Sequence, residues 1–224
     1  MRNIYVSIPA FFKGVFMNKK KSFLFSSVLL AVLFTASVAC AQSAKLPAPQ
    51  TTGGVPTLEA IEKRASAVSG QFPTGEISRQ ELSTLLWAAS GRNRGGNGWT
   101  VPTAMGMDPY VSIYVASKDG MFLYDGKEHA LTQLFAGDAR AKVSAQSFAN
   151  SAPYILVFVI KGKEKGAPFG QALAGAMTQN VYLASQSLNI AARFMATMQQ
   201  DVVRKELKLA DDDVAVCIMP LGKR

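Results

Sequence analysis

The chain has 224 residues, with 24 Lys and Arg against 15 Asp and Glu, and a formal charge of +9. Part of that charge belongs to one end: the first 41 residues hold five of the basic residues and no acid, which leaves 19 against 15, a net +4, over the remaining 183. No basic tract there is dense enough for nucleic acid, and with Cys217 the one thiol beyond residue 41 no internal disulfide can form, while the length suits one domain with a sizeable core.

In chain order, residues 17–21 read MNKKK, residues 22–38 carry no charge, and Ala39, Cys40 and Ala41 supply the small-x-small pattern that signal peptidase accepts. This predicts a secretory signal peptide over 1–41, with Met17 a candidate start in place of Met1. The apolar run is slightly short for a membrane span, so cleavage is favoured over an uncleaved anchor. A lipoprotein anchored through Cys40 is the other alternative, although Ser37 stands where a lipobox usually has Leu. The expected location is periplasmic or extracellular, with membrane contact only if Cys40 is lipidated or the signal is retained.

Residues 42–56, rich in Pro, Gly, Gln and Thr, predict a flexible linker. The folded domain is expected over 57–224. Thr57 can cap a first helix with Leu58 and Ile61 on one face. Ser78 to Glu81 reads as a capping box, opening a helix with Leu82, Leu85, Leu86 and Ala89 in a stripe and Gly91 at its stop. Residues 92–102 form a Gly- and Asn-rich loop. Strands are expected at 111–116 and 121–124 around the Asp119-Gly120 turn, with another turn at Asp125-Gly126 and a helix over 138–148. The unbroken apolar run 154–160 predicts a central strand buried on both faces. A charged loop over 161–166 leads to a helix over 171–188, which Asn189 can end in a left-handed conformation. A short helix over 201–209 and a strand over 214–219 complete an α+β domain. Asp211 to Asp213 reads as a solvated turn, and Cys217 as a small buried hydrophobe.

Chemistry-bearing residues are sparse. His129 is the single histidine; no Gly-x-Ser-x-Gly elbow accompanies it, and one His with one Cys cannot build an ordinary zinc site, so no metal is expected. No phosphate loop and no dinucleotide-binding glycine motif is present. No catalytic side chain can be named; an enzyme with this inventory needs a bound cofactor to carry the reaction.

Five blocks nevertheless occur in a familiar order. The run from Glu81 to Gly91, followed by Asn93-Arg94, resembles the "eLs-LLWAA-G-nR" block of nitroreductase-like flavoproteins, with the SagB-type dehydrogenases as the nearest branch. Pro102-Thr103-Ala104 with Pro109 and Tyr110 resembles that family's "PSA…P" segment. Ala152-Pro153 before the apolar run resembles its "AP" strand, residues 174–184 its "aGh-aQNlyLaa" helix, and Met219-Pro220-Leu221-Gly222 its "lPvG" end strand. The blocks span about 57–224. Leu173 and Ala176 replace the Glu and His often found in SagB-type azoline dehydrogenases, and Asn189-Ile190-Ala191 replaces their Gly-Leu-Gly.

The resemblance implies a mixed, mostly antiparallel central sheet flanked by helices, an intertwined homodimer, and FMN bound in a cleft at the dimer interface. It implies phosphate contacts from Lys63, Arg64 and Ser66, the nearest match to the family's Arg-Arg-Ser, with Arg92 or Arg94 as a substitute for a missing Arg and Lys223 and Arg224 as basic residues near the C-terminus. Thr103, Ala104 and Gly106 would lie by the ribityl chain or ring. The implied activity is two-electron transfer between a small-molecule donor and an acceptor; a non-catalytic flavin- or ligand-binding relative is the alternative.

Overall fold

A computed structural model describes residues 43–103 and 107–224. The signal-peptide prediction, Ala104 and Gly106 lie outside the described residues.

Seven strands form one sheet: β1 (Ser43–Lys45), β4 (Val111–Ser117), β5 (Gly120–Asp125), β6 (Ala130–Ala136), β7 (Tyr154–Ile160), β8 (Ile190–Ala192) and β9 (Val214–Lys223), in the order β1-β6-β5-β4-β7-β9-β8. Every described pairing is antiparallel. The run 154–160 is the central strand the sequence predicts, between β4 and β9.

Because side chains alternate across a strand, β7 feeds two cores. Leu156, Phe158 and Ile160 join Leu82, Leu85 and Leu86 of helix α2 (Arg79–Ser90) and Met177 and Val181 of helix α4 (Lys163–Ser187). Ile155, Val157 and Val159 join Ala149 of helix α3 (Ser147–Asn150) and Val203 of helix α5 (Gln200–Glu206) on the other face. A bulge opposite Phe158 and Val159 shifts the register of β9, so Ala215 and Cys217, two apart, reach opposite cores. Cys217 is fully buried, and burial pushes its thiol up to about 12.

The predicted capping box forms: the Glu81 N–H donates to the Ser78 hydroxyl at 3.2 Å, and the Ser78 N–H donates to the Glu81 carboxylate at 2.9 Å. Asn189 takes φ +52° just past α4.

Several expectations are corrected. Residues 43–45 are a strand rather than a flexible linker: β1 pairs with β6, and Arg79, Gln80 and Ser83 of α2 donate to the carbonyls of Lys45, Ala48 and Pro47. Helix α1 (Thr57–Lys63) is preceded by Pro56 with no side-chain cap, in place of a cap by Thr57, and its Leu58 and Ile61 are 81% and 51% exposed. Residues 138–148 form a short turn at Arg140–Lys142 and only the start of α3. The charged stretch after β7 already belongs to α4, which starts at Lys163. Within residues 92–102, β2 (Arg92–Asn93) and β3 (Gly98–Trp99) make a small hairpin. Asp213 is 3% exposed instead of solvated. Burial pushes its carboxyl up, but Lys161 and the N–H groups of Gly162 and Ala210 together outweigh this and hold it below the usual carboxylate range.

Candidate functional site

Two groups of polar side chains stand apart from the core. The first gathers where α1 ends. The backbone leaves helical geometry at Arg64, whose N–H still donates to the Ala60 carbonyl at 3.0 Å. It then runs extended to Ala67, whose N–H donates to the Ala192 carbonyl at 3.0 Å. This lays residues 64–67 beside β8 and over the buried Tyr182 of α4. The Arg64 guanidinium lies 4.9 Å from the Tyr182 ring centroid, and Ser66 Oγ is 2.7 Å from the Tyr182 hydroxyl. That hydroxyl also accepts the Phe194 N–H at 2.6 Å, so its own proton can go to Ser66. Arg193 donates from Nη1 to the Ala67 carbonyl at 2.7 Å.

Neither Arg64 nor Arg193 pairs with a carboxylate among the described residues. A half-buried guanidinium beside two hydroxyls, paired with no carboxylate among the described residues, suits an oxyanion. Lys63 is exposed and turned to Glu59 at 2.5 Å, one turn back along α1.

The second group follows α2. Trp87 Nε1 donates to the Arg92 carbonyl at 2.8 Å, and a Cβ on Gly91 would collide with the Trp87 side chain and backbone, so the chain leaves the helix tightly. Arg94, Gly95 and Gly96 all take positive φ, which turns the Arg94 side chain back over Gly98; any side chain there would strike the guanidinium. Arg92 lies 4.0 Å over the Trp99 ring. With Asn93, Arg94, Trp99 and Thr103 it lines a cleft of about 490 Å³. Asn93 Oδ1 is buried without a hydrogen-bond partner among the described residues, an acceptor of a kind that folded proteins rarely leave unpaired.

Helix α4 separates the groups. Asn180 donates to the Ala88 and Thr100 carbonyls at 3.0 and 3.1 Å, on the flank of the second group, while Tyr182 serves the first. Two positions along a helix turn a side chain through about 200°, so the groups face opposite ways. Thus Arg64 and Ser66 come together on one flank, and Arg94 and Thr103 on the other.

Lys223 joins neither. Its ammonium bonds the Glu81 carboxylate and, at 2.7 Å, the Leu188 carbonyl, so it ties the last strand to the start of α2 and the end of α4. Arg224 is exposed, with its N–H on the Asn189 carbonyl at 3.1 Å. His129 is also committed. Nε2 lies 2.7 Å from Ser83 Oγ and 3.1 Å from the Pro47 carbonyl, and Nδ1 lies 2.9 Å from the Tyr124 hydroxyl. Burial pushes its pKa down; it pins residue 47 to α2 and has no nitrogen left for a substrate. No group of three His, Cys, Asp or Glu converges among the described residues.

Sequence reasoning missed Arg193 and the anchoring role of Tyr182. Tyr182 lies within a recognisable helix block, whereas Arg193 carries no local motif.

The Nitroreductase family model matches residues 61–223. A protein of Methanocaldococcus jannaschii named as a nitroreductase is 22% identical over 170 residues, 69% of this chain and 85% of that protein. A Ralstonia eutropha structure described as a nitroreductase is 30% identical, covers 83% of this chain and 91% of its own, and superposes with a TM-score of 0.72. An FMN-dependent nitroreductase of Clostridium difficile, 16% identical, shares the fold with a TM-score of 0.52 over 74% of this chain and 86% of its own.

Proposed function

The chain belongs to the nitroreductase family, and from that premise we propose that it is an exported, FMN-dependent oxidoreductase acting as a homodimer. The observation that carries the cofactor assignment is the acid-free cluster of Arg64, Ser66 and Tyr182 at the start of the family-matched region. A flavin mononucleotide fits what the residues offer. Arg64 and Ser66 would hold its phosphate, and the orphaned Asn93 Oδ1 is an acceptor that a ring N–H could satisfy. Arg94 and Thr103 would border the rest of the cofactor, while Lys223, spent on Glu81, drops out of the site.

When bound, FMN supplies two-electron hydride chemistry at its N5 atom. The chain's own part is to bind, to orient and to keep water out. The guanidinium of Arg64 fixes one end of the ligand by charge and direction. Trp99, held by Arg92, walls the cleft on the other flank.

The opposed directions of the two groups support the dimer. The groups face away from each other across α4 in a single chain, whereas a two-fold pair can bring the first group of one copy to the second group of the other. Exposed Leu58, Ile61, Val68 and Phe194 lie on or beside the segments that carry the first group, apolar surface suited to burial in such a contact. Outside the cytoplasm NAD(P)H is not an ordinary electron source, so the donor and the acceptor are other small molecules.

A non-catalytic flavin-binding relative is the second reading, favoured by the full commitment of His129 to Ser83, Pro47 and Tyr124. The absorption spectrum of the purified domain tests the first step: a flavin spectrum with FMN preferred over FAD is expected, and no uptake under saturating FMN would refute it. Bleaching by a reductant and re-oxidation by an added acceptor separate an enzyme from a binder. Mass spectrometry of protein from its host tests export. An N-terminus near Gln42 is expected; an intact Met1 or Met17 on a cytoplasmic protein counts against it.

A further inference from the structure

We propose that Tyr182 is a positioning residue for the phosphate end of the flavin site, its hydroxyl orienting Ser66 as a donor toward the ligand. The assignment rests on the flavin reading above and adds to it the residue that makes the site prefer a phosphorylated flavin.

Proton counting sets the direction of the chain. Tyr182 is 5% exposed, and its hydroxyl oxygen accepts the Phe194 N–H at 2.6 Å. A phenol has one proton to give. Ser66 Oγ, at 2.7 Å, is the one acceptor that meets this hydroxyl among the described residues. Were Ser66 the donor instead, the Tyr182 proton would be buried without a partner, an arrangement that folded proteins avoid. The order is therefore Phe194 N–H to Tyr182, and Tyr182 O–H to Ser66. One lone pair of Ser66 is then taken, and its own proton meets no other acceptor among the described residues. Ser66 is exposed, so that proton is available to a ligand.

The same side chain carries the charge of the group. The Arg64 guanidinium lies 4.9 Å from the Tyr182 ring centroid, so one buried tyrosine holds both a cation and an oriented hydroxyl donor where α1 ends. A hydrogen bond to an ionised acceptor is roughly twice as strong as one to a neutral acceptor. The oriented donor therefore favours a phosphate oxygen over the uncharged hydroxymethyl end of riboflavin.

FMN and riboflavin differ only in the phosphate, so their affinities separate a role at the phosphate from a structural one. Tyr182→Phe keeps the ring under Arg64 and removes the hydroxyl. In titrations of apo-protein followed by flavin fluorescence, its FMN affinity should fall about 3- to 10-fold, while riboflavin affinity stays within about twofold. Ser66→Ala, at an exposed position, should lose about 10- to 100-fold for FMN alone. Because Tyr182 acts through Ser66, the losses should not add: the double variant should bind FMN within about twofold of Ser66→Ala. Unchanged FMN affinity in Tyr182→Phe overturns the assignment. So do fully additive losses in the double variant, and so does a parallel loss of FMN and riboflavin, which would make Tyr182 a brace of the fold. Should Tyr182→Phe fail to fold, Ser66→Ala still decides, since unchanged FMN affinity there leaves Tyr182 nothing to act through. A wild-type protein that takes up neither flavin overturns the flavin reading and this assignment with it; the other failures leave that reading intact.

Discussion

Replacing Arg64 by Ala should separate ligand binding from folding. In the folded chain the guanidinium has one described partner, the Tyr182 ring at 4.9 Å, a contact worth ~0.5–1 kcal/mol at a partly exposed site. No carboxylate among the described residues is stranded by its loss. In a domain of this size 1 kcal/mol moves Tm by about 2–4 °C, so the variant should melt within roughly 4 °C of wild type. Removing the charged partner of a desolvated phosphate costs more, ~2–4 kcal/mol, or about 30- to 1000-fold in Kd at ~1.4 kcal/mol per tenfold. Apo-protein titrated with FMN by fluorescence quenching, beside a thermal melt, reads both quantities. Arg64→Lys should fall between wild type and Arg64→Ala, since one point charge replaces a two-pronged donor. FMN affinity unchanged in Arg64→Ala would refute the placement of the phosphate. A Tm drop beyond about 10 °C would instead make Arg64 a structural residue.

Other substitutions probe the frame around the site. Asp213→Asn removes the charge that holds Lys161 and should cost ~1–3 kcal/mol by urea denaturation at pH 7; Lys161 is 42% exposed, which keeps the value from rising further. Because the folded carboxyl sits below its unfolded value, its stabilisation is complete above about pH 4 and fades as pH falls toward the lower folded value. Wild-type stability should therefore decline more steeply than that of Asp213→Asn below about pH 4, and parallel pH profiles would count against the pair. Glu81→Ala removes the carboxylate half of the capping box and the anchor of Lys223, while the N–H of residue 81 still reaches the Ser78 hydroxyl; a loss of ~1–2 kcal/mol is expected by the same assay. Gly222→Ala would drive a Cβ into the Pro73 carbonyl oxygen, backbone against backbone, and should cost ~1–3 kcal/mol or prevent folding; a normal melt would show that the 72–73 turn can yield. Diluting the loaded protein until it dissociates should release FMN, and a monomer that keeps its flavin would contradict the shared site.

What was legible in the sequence was local. The capping box, the left-handed Asn189 and the run 154–160 each carry their cause within a few residues. Strand β1 does not: its three side chains are all exposed, so no alternation marks it, and its reason to be a strand is the open edge of β6. Leu58 and Ile61 have helical spacing but no core beneath them in one chain. Within the site, Arg64 and Ser66 are visible as a motif, while Tyr182 stands 116 residues from Ser66 and Arg193 stands 126 from Ala67. The pairing of Lys223 is hidden for the same reason, its carboxylate partner Glu81 being 142 residues away.

A chain beginning at Ser43 contains one thiol, Cys217, sealed between β7 and the helices above it. A thiol-reactive dye can reach it only when the middle of the sheet opens, so the labelling rate measures that opening directly, with no engineered probe. A ligand that binds only the closed form slows labelling by the factor 1 + [L]/Kd. The buried sulfur thus gives a way to weigh flavins, reductants and colourless candidate substrates on one scale, including any that leave the absorption spectrum untouched.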